Sequence, residues 1–469
     1  EIWGLSFCVT SVAMDKSEAR CAELVAAPAG GLAPTGSFSV EPEVETQQTA
    51  ENATVKAPQM LLNLIVGGLG TGMLSLPWGM AGSSIIVGAA IIVLVIAVNL
   101  WTIMILVHAA ERYQVFDLGA LLGKLPGRIG TGMQTFVNVM VWIVLYGSLL
   151  SYIIGICDSA QPFIKGTILE ERWAIAGVAC LIVLPLSFLD QKYLSFSSAA
   201  AIVVNLYLMI LVGVEFFDKL DKNDLPHNIC EFGLAKGSVT MASTMMQSVI
   251  IQMCVLPMYQ ELENRSPSKF SRILLMAFSV LAVLFIFLSV AAYGAFGPTV
   301  NSNLLLSLPN TPAMNVVQAG MIIVFAAVYP VMMIAMIAPL KNLPLDRFGT
   351  GQSAARKKSL AVAGLTIFFV LASFIAALKV SELGLVNTLD GALCLLVFTA
   401  LAPGLVGLML LGRETTSWRL AMAALLLFGV LGAVAGFVFI DNEHELLEAA
   451  CRVPSSHKAS LLGAWEGFF

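Results

Sequence analysis

Charge is scarce in this chain. Asp, Glu, Lys and Arg make up 12% of its 469 residues, about half the share a soluble domain carries. Hydrophobic residues make up 58%, and mean hydropathy is +0.87. No soluble core could enclose so much apolar surface, so the solvent must be lipid. With a net charge of −5 the chain lacks the basic face of a nucleic-acid binder. It also lacks a P-loop, an HExxH helix and paired catalytic carboxylates, so no hydrolytic or redox chemistry and no cofactor is expected, and the chain reads as a non-enzyme. The eight cysteines are scattered, with no CxxC and no metal spacing, which argues against a zinc site. The opening run EIWGLSFCVTSVA has no basic n-region, so a cleaved signal peptide is not expected.

What the chain has instead is long apolar runs. Residues 1–58, rich in Ala, Pro, Gly, Thr and Glu, read as a disordered cytosolic tail. Residues 59–440 read as one transmembrane domain, and 441–469 as a short, non-cytosolic C-terminal tail. Eleven segments have the roughly 17–25 residues a membrane span requires. They lie near 60–82, 84–110, 131–157, 173–189, 195–216, 238–259, 271–296, 314–338, 359–378, 384–411 and 417–440. With the N-terminus in the cytosol, the inner loops collect Arg112, Lys124, Arg128, Lys192, Arg265, Lys269, Arg272, Lys341, Arg347, the basic run 356–358, Arg413 and Arg419. The outer loops hold only Lys165, Arg172, Lys219, Lys222, Lys236 and Lys379. That asymmetry is the positive-inside signature. Both N-x-S/T sequons, at Asn52 and Asn264, then fall inside. Cys157 and Cys230 share the outer face, which would allow a disulfide between them.

The first apolar segment interrupts itself. NLIVGGLGTGMLSLPWGM, residues 63–80, carries Gly67, Gly68, Gly70, Gly72 and Pro77. Hydrocarbon offers no partner to a freed backbone group, so a broken helix is tolerated only where protein, water or a ligand meets it. Exposed amides beside a half-helix N-terminus form an anion cradle that suits a carboxylate, and Thr71 adds a hydroxyl. The alternative is close helix packing at Gly68 and Gly72. A second break is expected in 238–260, which also holds a Leu-Pro pair; Pro257 and Pro77 are 257 − 77 = 180 residues apart. Matching breaks in two halves point to an inverted repeat of five and five spans, an eleventh left over, and a substrate site between the halves. In the second segment Ser243, Thr244, Gln247, Ser248 and Gln252 are polar within an apolar run. They serve either a ligand or neighbouring helices; as a cluster they favour a cavity.

These motifs resemble those of the amino acid/auxin permease (AAAP) family. Its GxGxLxLP pattern appears as Gly70, Gly72, Leu74, Leu76 and Pro77, and its LPxYxEL pattern as Leu256, Pro257, Tyr259, Glu261 and Leu262, followed by Arg265. SYIIGICD (151–158), PLSFLDQKYLSFSSA (185–199) and AYGAFGPTVNSNLLLSLP (292–309) follow in family order, so the resemblance covers roughly 60–410. It implies an all-α, LeuT-like scaffold of the APC superfamily and secondary transport of amino acids. It also implies that a tyrosine of the third span, Tyr146 or Tyr152, meets the substrate carboxylate. Sodium-coupled members carry an asparagine near the first break, where Val66 stands here with Asn63 one turn earlier, and a threonine in the eighth span, where FAAVYP has none before Pro330. Gln252 replaces a histidine common in the sixth span. GLGTGMLSLP is closer to the proton-coupled branch.

An ionisable residue within a span is costly and usually functional. Asp390, in VNTLDGALCLL, is therefore the candidate coupling group, unless Asn387, Thr388 and Gly391 mark a capped stretch that satisfies it structurally. Glu111, Asp158, Glu215, Glu261 and His108 lie near segment ends and read as interfacial. The resulting expectation is a multi-pass transporter of the plasma membrane or a vacuolar or lysosomal membrane, with an amino acid substrate held at Gly67, Gly68, Gly70, Thr71, Gly72, Tyr146, Tyr152, Ser243, Thr244, Gln247 and Gln252. Asp390 and Asn63 are its candidate ion-coupling residues, with a proton or sodium as the coupling ion. The rival is an amino-acid-sensing receptor without net flux.

Overall fold

The computed structural model describes residues 55–167, 170–189, 196–226, 228–341, 352–412, 415–439 and 450–454. The leader up to residue 54, most of the 441–469 tail, and Lys192, Arg347 and Arg413 lie outside these residues.

The first apolar segment is broken. Helix α1 (Ala57–Gly68) gives way to extended backbone at Gly70, a 3-10 turn over Thr71–Ser75 and helix α2 (Leu76–Ser83), with a 45° bend. Pro77 does not make the break; it sits in the first turn of α2, where its missing N–H would be unpaired in any case. Then follow α3 (Ile85–Tyr113), a short α4 (Leu118–Gly123), α5 (Arg128–Ile164), α6 (Arg172–Leu186) and α7 (Phe196–Asp221). The second interrupted segment is α8 (Gly237–Ser248) and α9 (Gln252–Glu261). It is followed by α10 (Pro267–Phe296), α11 (Pro312–Lys341), α12 (Gln352–Lys379), α13 (Leu383–Cys394), a π-helical stretch Leu395–Leu401, α14 (Ala402–Met409) and α15 (Thr416–Val438).

Among the described residues nine helices are long and apolar enough to cross a membrane, and the bent α1–α2 pair adds a tenth. α6 has 15 residues, about 22 Å at 1.5 Å per residue. The spans are not equally enclosed. Two-thirds of the spanning windows in Gly237–Glu261 and Leu383–Met409 is buried, against 22% in Ser353–Lys379 and 28% in Thr416–Val438. The second interrupted segment and α13–α14 thus form the interior. α12 and α15 are peripheral and present Leu360, Phe368, Leu371, Leu427, Leu431 and Val434 outward, as a lipid-facing shell requires.

A two-stranded antiparallel ribbon, β1 (Cys230–Gly233) with β2 (Cys451–Pro454), ties the α7–α8 loop to the end of the chain. Gly233 exchanges hydrogen bonds with the Ser84 hydroxyl at the α2–α3 joint (3.0 and 3.2 Å), and the Tyr293 hydroxyl accepts from the Cys230 amide (3.0 Å). This ribbon corrects the expected disulfide: Cys230 is bonded to Cys451, 221 residues away, and Cys157 is a buried free thiol. Cys157 lies inside α5, 1% exposed, whereas β2 returns from the chain's end to lie beside Cys230. Serine at Cys230 or Cys451 should therefore release one maleimide-reactive thiol in unreduced protein, and Cys157→Ser should release none. A new thiol from Cys157→Ser would contradict this pairing.

Asp158 also departs from the interfacial expectation. It is 1% exposed and bound by Arg172 Nη1 (3.2 Å) and by Asn303 Nδ2 (2.9 Å). The partners come from α6 and from the α10–α11 loop, so burial of this carboxylate depends on contacts distant in sequence. Glu111 is part-exposed, accepts from the Tyr259 hydroxyl at 2.8 Å and faces Arg265 at 3.4 Å. Glu215 pairs with Lys219 one turn on, and His108 is exposed.

Candidate functional site: a cavity between two helix breaks

The two interruptions occupy matching positions by different means. At the first, α1 closes with the Leu69 amide bonded to the Val66 carbonyl (3.0 Å), and Gly70 then runs extended (φ −96°, ψ −167°). At the second there is no glycine. Three β-branched residues, Val249, Ile250 and Ile251, separate α8 from α9, and such residues are among the weaker helix formers. The Gln252 side-chain carbonyl accepts from the Ile251 amide (3.2 Å), supplying an acceptor the broken helix no longer provides. Gly70 and Ile250 are 250 − 70 = 180 residues apart, the same as the two prolines. Pro257 lies inside α9, seven residues beyond Ile250, where it leaves the Met253 carbonyl without its helical partner.

Between the breaks lies a cavity of about 130 Å³. α1 and its break contribute Asn63, Gly67, Gly70, Thr71 and Gly72; α5 contributes Ser148 and Tyr152; α7 contributes Asn205; the second interruption contributes Gln247, Ser248, Ile250, Ile251, Met253, Cys254 and Met258. The far wall is α11, with Met321, Val324, Phe325, Val328, Val331, Met332 and Ala335. Among the described residues the lining contains no Asp, Glu, Lys, Arg or His.

The glycines of the first motif divide by role. A Cβ at Gly70 would meet nothing within 4 Å, so this backbone faces open space. A Cβ at Gly67 would touch only Ile251, at 3.7 Å. Gly68, in contrast, lies against Leu281 of α10, with 2.6 Å available to a Cβ. Gly72 lies against the backbone of Ser248, whose Cα would be 2.9 Å from an added Cβ. Gly68 is thus a packing glycine outside the lining. Gly72 is where the two breaks touch.

The remaining candidates separate in the same way. Tyr152 lines the cavity with its ring on Phe325 (5.9 Å) and makes no hydrogen bond among the described residues, whereas Tyr146 packs on Phe369 of α12 and is absent from the lining. Gln247 and Asn63 line the cavity. Ser243, Thr244, Gln252 and Asp390 do not. Gln252 points behind the break, where its amide donates to Asn99 and lies 3.5 Å from the hydroxyls of Thr102 and Thr399, all fully buried. Thr244 and Thr388 share a hydrogen bond (3.2 Å), and a Cβ at Gly391 would strike the Ser243 carbonyl.

These contacts make α13 the hub behind the cavity. Asn387 donates to the Thr71 carbonyl (3.3 Å) and the Ser75 hydroxyl (2.9 Å), and accepts from Ser151 (3.1 Å). One side chain thereby fixes the unwound turn of the first segment against α5 and α13. Asp390, 4% exposed, accepts from Gln247 at 3.3 Å and sits against Gly147, where α5 has no room for a Cβ. Asn205 donates to the Leu69 carbonyl (3.3 Å), the group freed where α1 ends. Ser148, Asn205 and Asn99 were not among the residues the sequence singled out, and Asn387 stood only as a mark of a capped stretch. Asn99 and Asn205 each stand alone in an apolar run, without the clustering that singled out Gln247.

A sequence model of the family described as "Transmembrane amino acid transporter protein" matches residues 53–440, most of the chain and every helix from α1 to α15. The chain belongs to that family. Its relatives include amino acid transporter AVT1E of Arabidopsis thaliana, 24% identical over 90% of this chain and 79% of that protein. Vacuolar amino acid transporter 6 of Saccharomyces cerevisiae is 22% identical over 76% of this chain and 90% of that protein. Among solved structures, a substrate-bound, outward-open Na+-coupled sialic acid symporter shares the fold, with a TM-score of 0.52 at 12% identity, covering 88% of this chain and 93% of the other. The family member described here is an integral, multi-pass membrane protein.

Proposed function

We propose that this protein is a secondary active transporter that moves neutral amino acids with apolar side chains by alternating access, in symport with protons. The observation that carries the proposal is the cavity lining: backbone and uncharged polar groups at the two breaks, and a wall of Met, Val and Phe on α9 and α11. The amides at Gly70–Gly72 receive the carboxylate, and the hydroxyl of Tyr152 adds a donor. Asn205, Ser148 and Gln247 face the ammonium end. Four methionines, Met253, Met258, Met321 and Met332, line the wall; their flexible side chains accommodate apolar groups of several shapes.

A lysine, arginine, aspartate or glutamate substrate would bury a side-chain charge with no partner. An unpaired buried charge costs about 3 kcal/mol or more, which is about 100-fold in affinity. Uptake of a labelled amino acid panel into proteoliposomes, under proton and sodium gradients imposed separately, tests the proposal. Leucine, methionine and phenylalanine should accumulate, and charged amino acids should fail to compete at tenfold excess. Tight binding without accumulation would instead favour a receptor.

One observation favours sodium as a second reading of the coupling. The Oδ1 of Asn63 is buried beside the cavity and has no hydrogen-bond partner among the described residues. Accumulation driven by the sodium gradient alone would select it.

Eleven spans, in a five-plus-five repeat with one extra, fit this function, and parity supports the count. The Val55 amide donates to the Glu261 carbonyl (3.1 Å), and the Glu263 amide to the Val55 carbonyl (2.9 Å). Residues before the first span and after the sixth therefore share a membrane face, which requires an even number of crossings between them. Counting α6 gives six; omitting it gives five. Arg172, hydrogen-bonded to the carbonyls of Ala377 and Ser381, imposes the same parity from the opposite face.

A further inference from the structure

We propose that Gln247 is the positioning residue that links proton binding at Asp390 to the occupant of the cavity. The inference rests on Asp390 as the coupling group.

Asp390 is buried in α13 and is not part of the cavity lining. Gln247 belongs to both environments: it lines the cavity, and its Nε2 donates to Asp390 Oδ2 (3.3 Å) and to Ser148 Oγ (3.4 Å). Its Oε1 accepts from Cys394 Sγ at 3.5 Å. The surroundings of Asp390 contain little else that titrates. α5 offers Gly147 and Ser148, with Tyr146 and Tyr152 turned to Phe369 and Phe325. α8 contains no titratable side chain and presents Ser243, Thr244 and Gln247. α15 approaches through Gly436, and its one titratable residue, Arg419, lies at the other end. α13 itself adds Cys394, one turn on. No lysine or arginine pairs with Asp390 among the described residues.

An amide satisfies both states of a carboxyl group, but with different edges. It offers N–H to a carboxylate and C=O to a carboxylic acid. With Asp390 ionised, Gln247 donates to it and to Ser148, and the Ser148 hydroxyl hydrogen is free to point into the cavity. When a hydronium ion in the cavity passes its proton to an Asp390 oxygen and leaves as water, the new O–H needs an acceptor. The Gln247 amide turns over so that Oε1 receives it. Ser148 then donates to the same Oε1 and presents its lone pairs to the cavity, where an ammonium group binds. The covalent change is one O–H bond broken on the hydronium ion and one formed on Asp390; the latter breaks again, returning the proton to water, when the site opens to the other side. Proton and amino acid each improve the site for the other.

The test uses the full-length protein in proteoliposomes, with leucine as the substrate and uptake compared at low and high outside pH. Wild-type uptake should rise as outside pH falls. In Gln247→Met, in Asp390→Asn and in the double variant, that ratio should drop to about one, with no further change in the double. Gln247→Asn keeps an amide but shortens its reach, and it should lose the ratio as well, which guards against a folding defect in the methionine variant. A wild-type ratio in Gln247→Met or Gln247→Asn, with only a raised KM, would make Gln247 an ordinary substrate contact and overturn the inference. If Asp390→Asn alone keeps the wild-type ratio, the coupling role of Asp390 itself fails.

Discussion

Gly70→Val is expected to abolish uptake in a protein that still folds and inserts. At this position the chain is extended, a conformation valine favours, and an added Cβ would meet no atom within 4 Å. The new isopropyl group therefore enters the cavity instead of displacing structure. It occupies the space above the amides of the first break and denies the substrate carboxylate its approach. The neighbouring Gly72 gives the opposite expectation. Valine there would press on the Ser248 backbone, 2.9 Å from its Cα, and force the two breaks apart. Gly72→Val should lower the unfolding midpoint and the yield as well as uptake. Size-exclusion profiles, thermal unfolding and leucine uptake on the pair separate occlusion from misfolding. Wild-type uptake in Gly70→Val would remove the backbone cradle from the account.

Gly391→Ala is expected to cost about 3 kcal/mol or more of stability, at or beyond the upper end of ordinary overpacking. A methyl group would fall on the Ser243 carbonyl, and neither helix can retreat cheaply. α13 is held on its other sides by Asn387 to Thr71, Ser75 and Ser151, and by Thr388 to Thr244. Gly132→Ala is the matched control. It is also helical, a Cβ there meets nothing within 4 Å, and the substitution should be neutral or stabilise by up to about 1 kcal/mol. Similar unfolding midpoints for the two variants would contradict the close α8–α13 contact.

The first helix break was legible because glycine advertises it: four glycines in six positions have few other uses in a span. The second was legible only to within a turn or two. Pro257 marked the right half of the chain, but the interruption lies at Val249–Ile251, made by residues that also occur in ordinary spans and completed by the Gln252 side chain. The polar residues of the second interrupted segment were visible as a group, yet their division between cavity and helix contacts depends on rotation about the helix axis, which their spacing alone does not fix. The same holds for Tyr146 and Tyr152, six residues apart and turned to different neighbours. The Cys230–Cys451 bond and the Asp158–Arg172–Asn303 cluster were illegible for another reason: they join segments brought together only by the finished bundle. The methionines and Phe325 read equally well as packing or lipid contact. Only the position of α11 opposite the breaks makes them the wall of the cavity.

The most direct measurement is an electron-density map of the protein in lipid nanodiscs with saturating leucine. The leucine carboxylate should lie within hydrogen-bonding distance of the amides at Gly70–Gly72, with its side chain among Met321, Val324 and Met332. Leucine bound elsewhere, or a first segment that runs as one uninterrupted helix through residues 69–71, would contradict it.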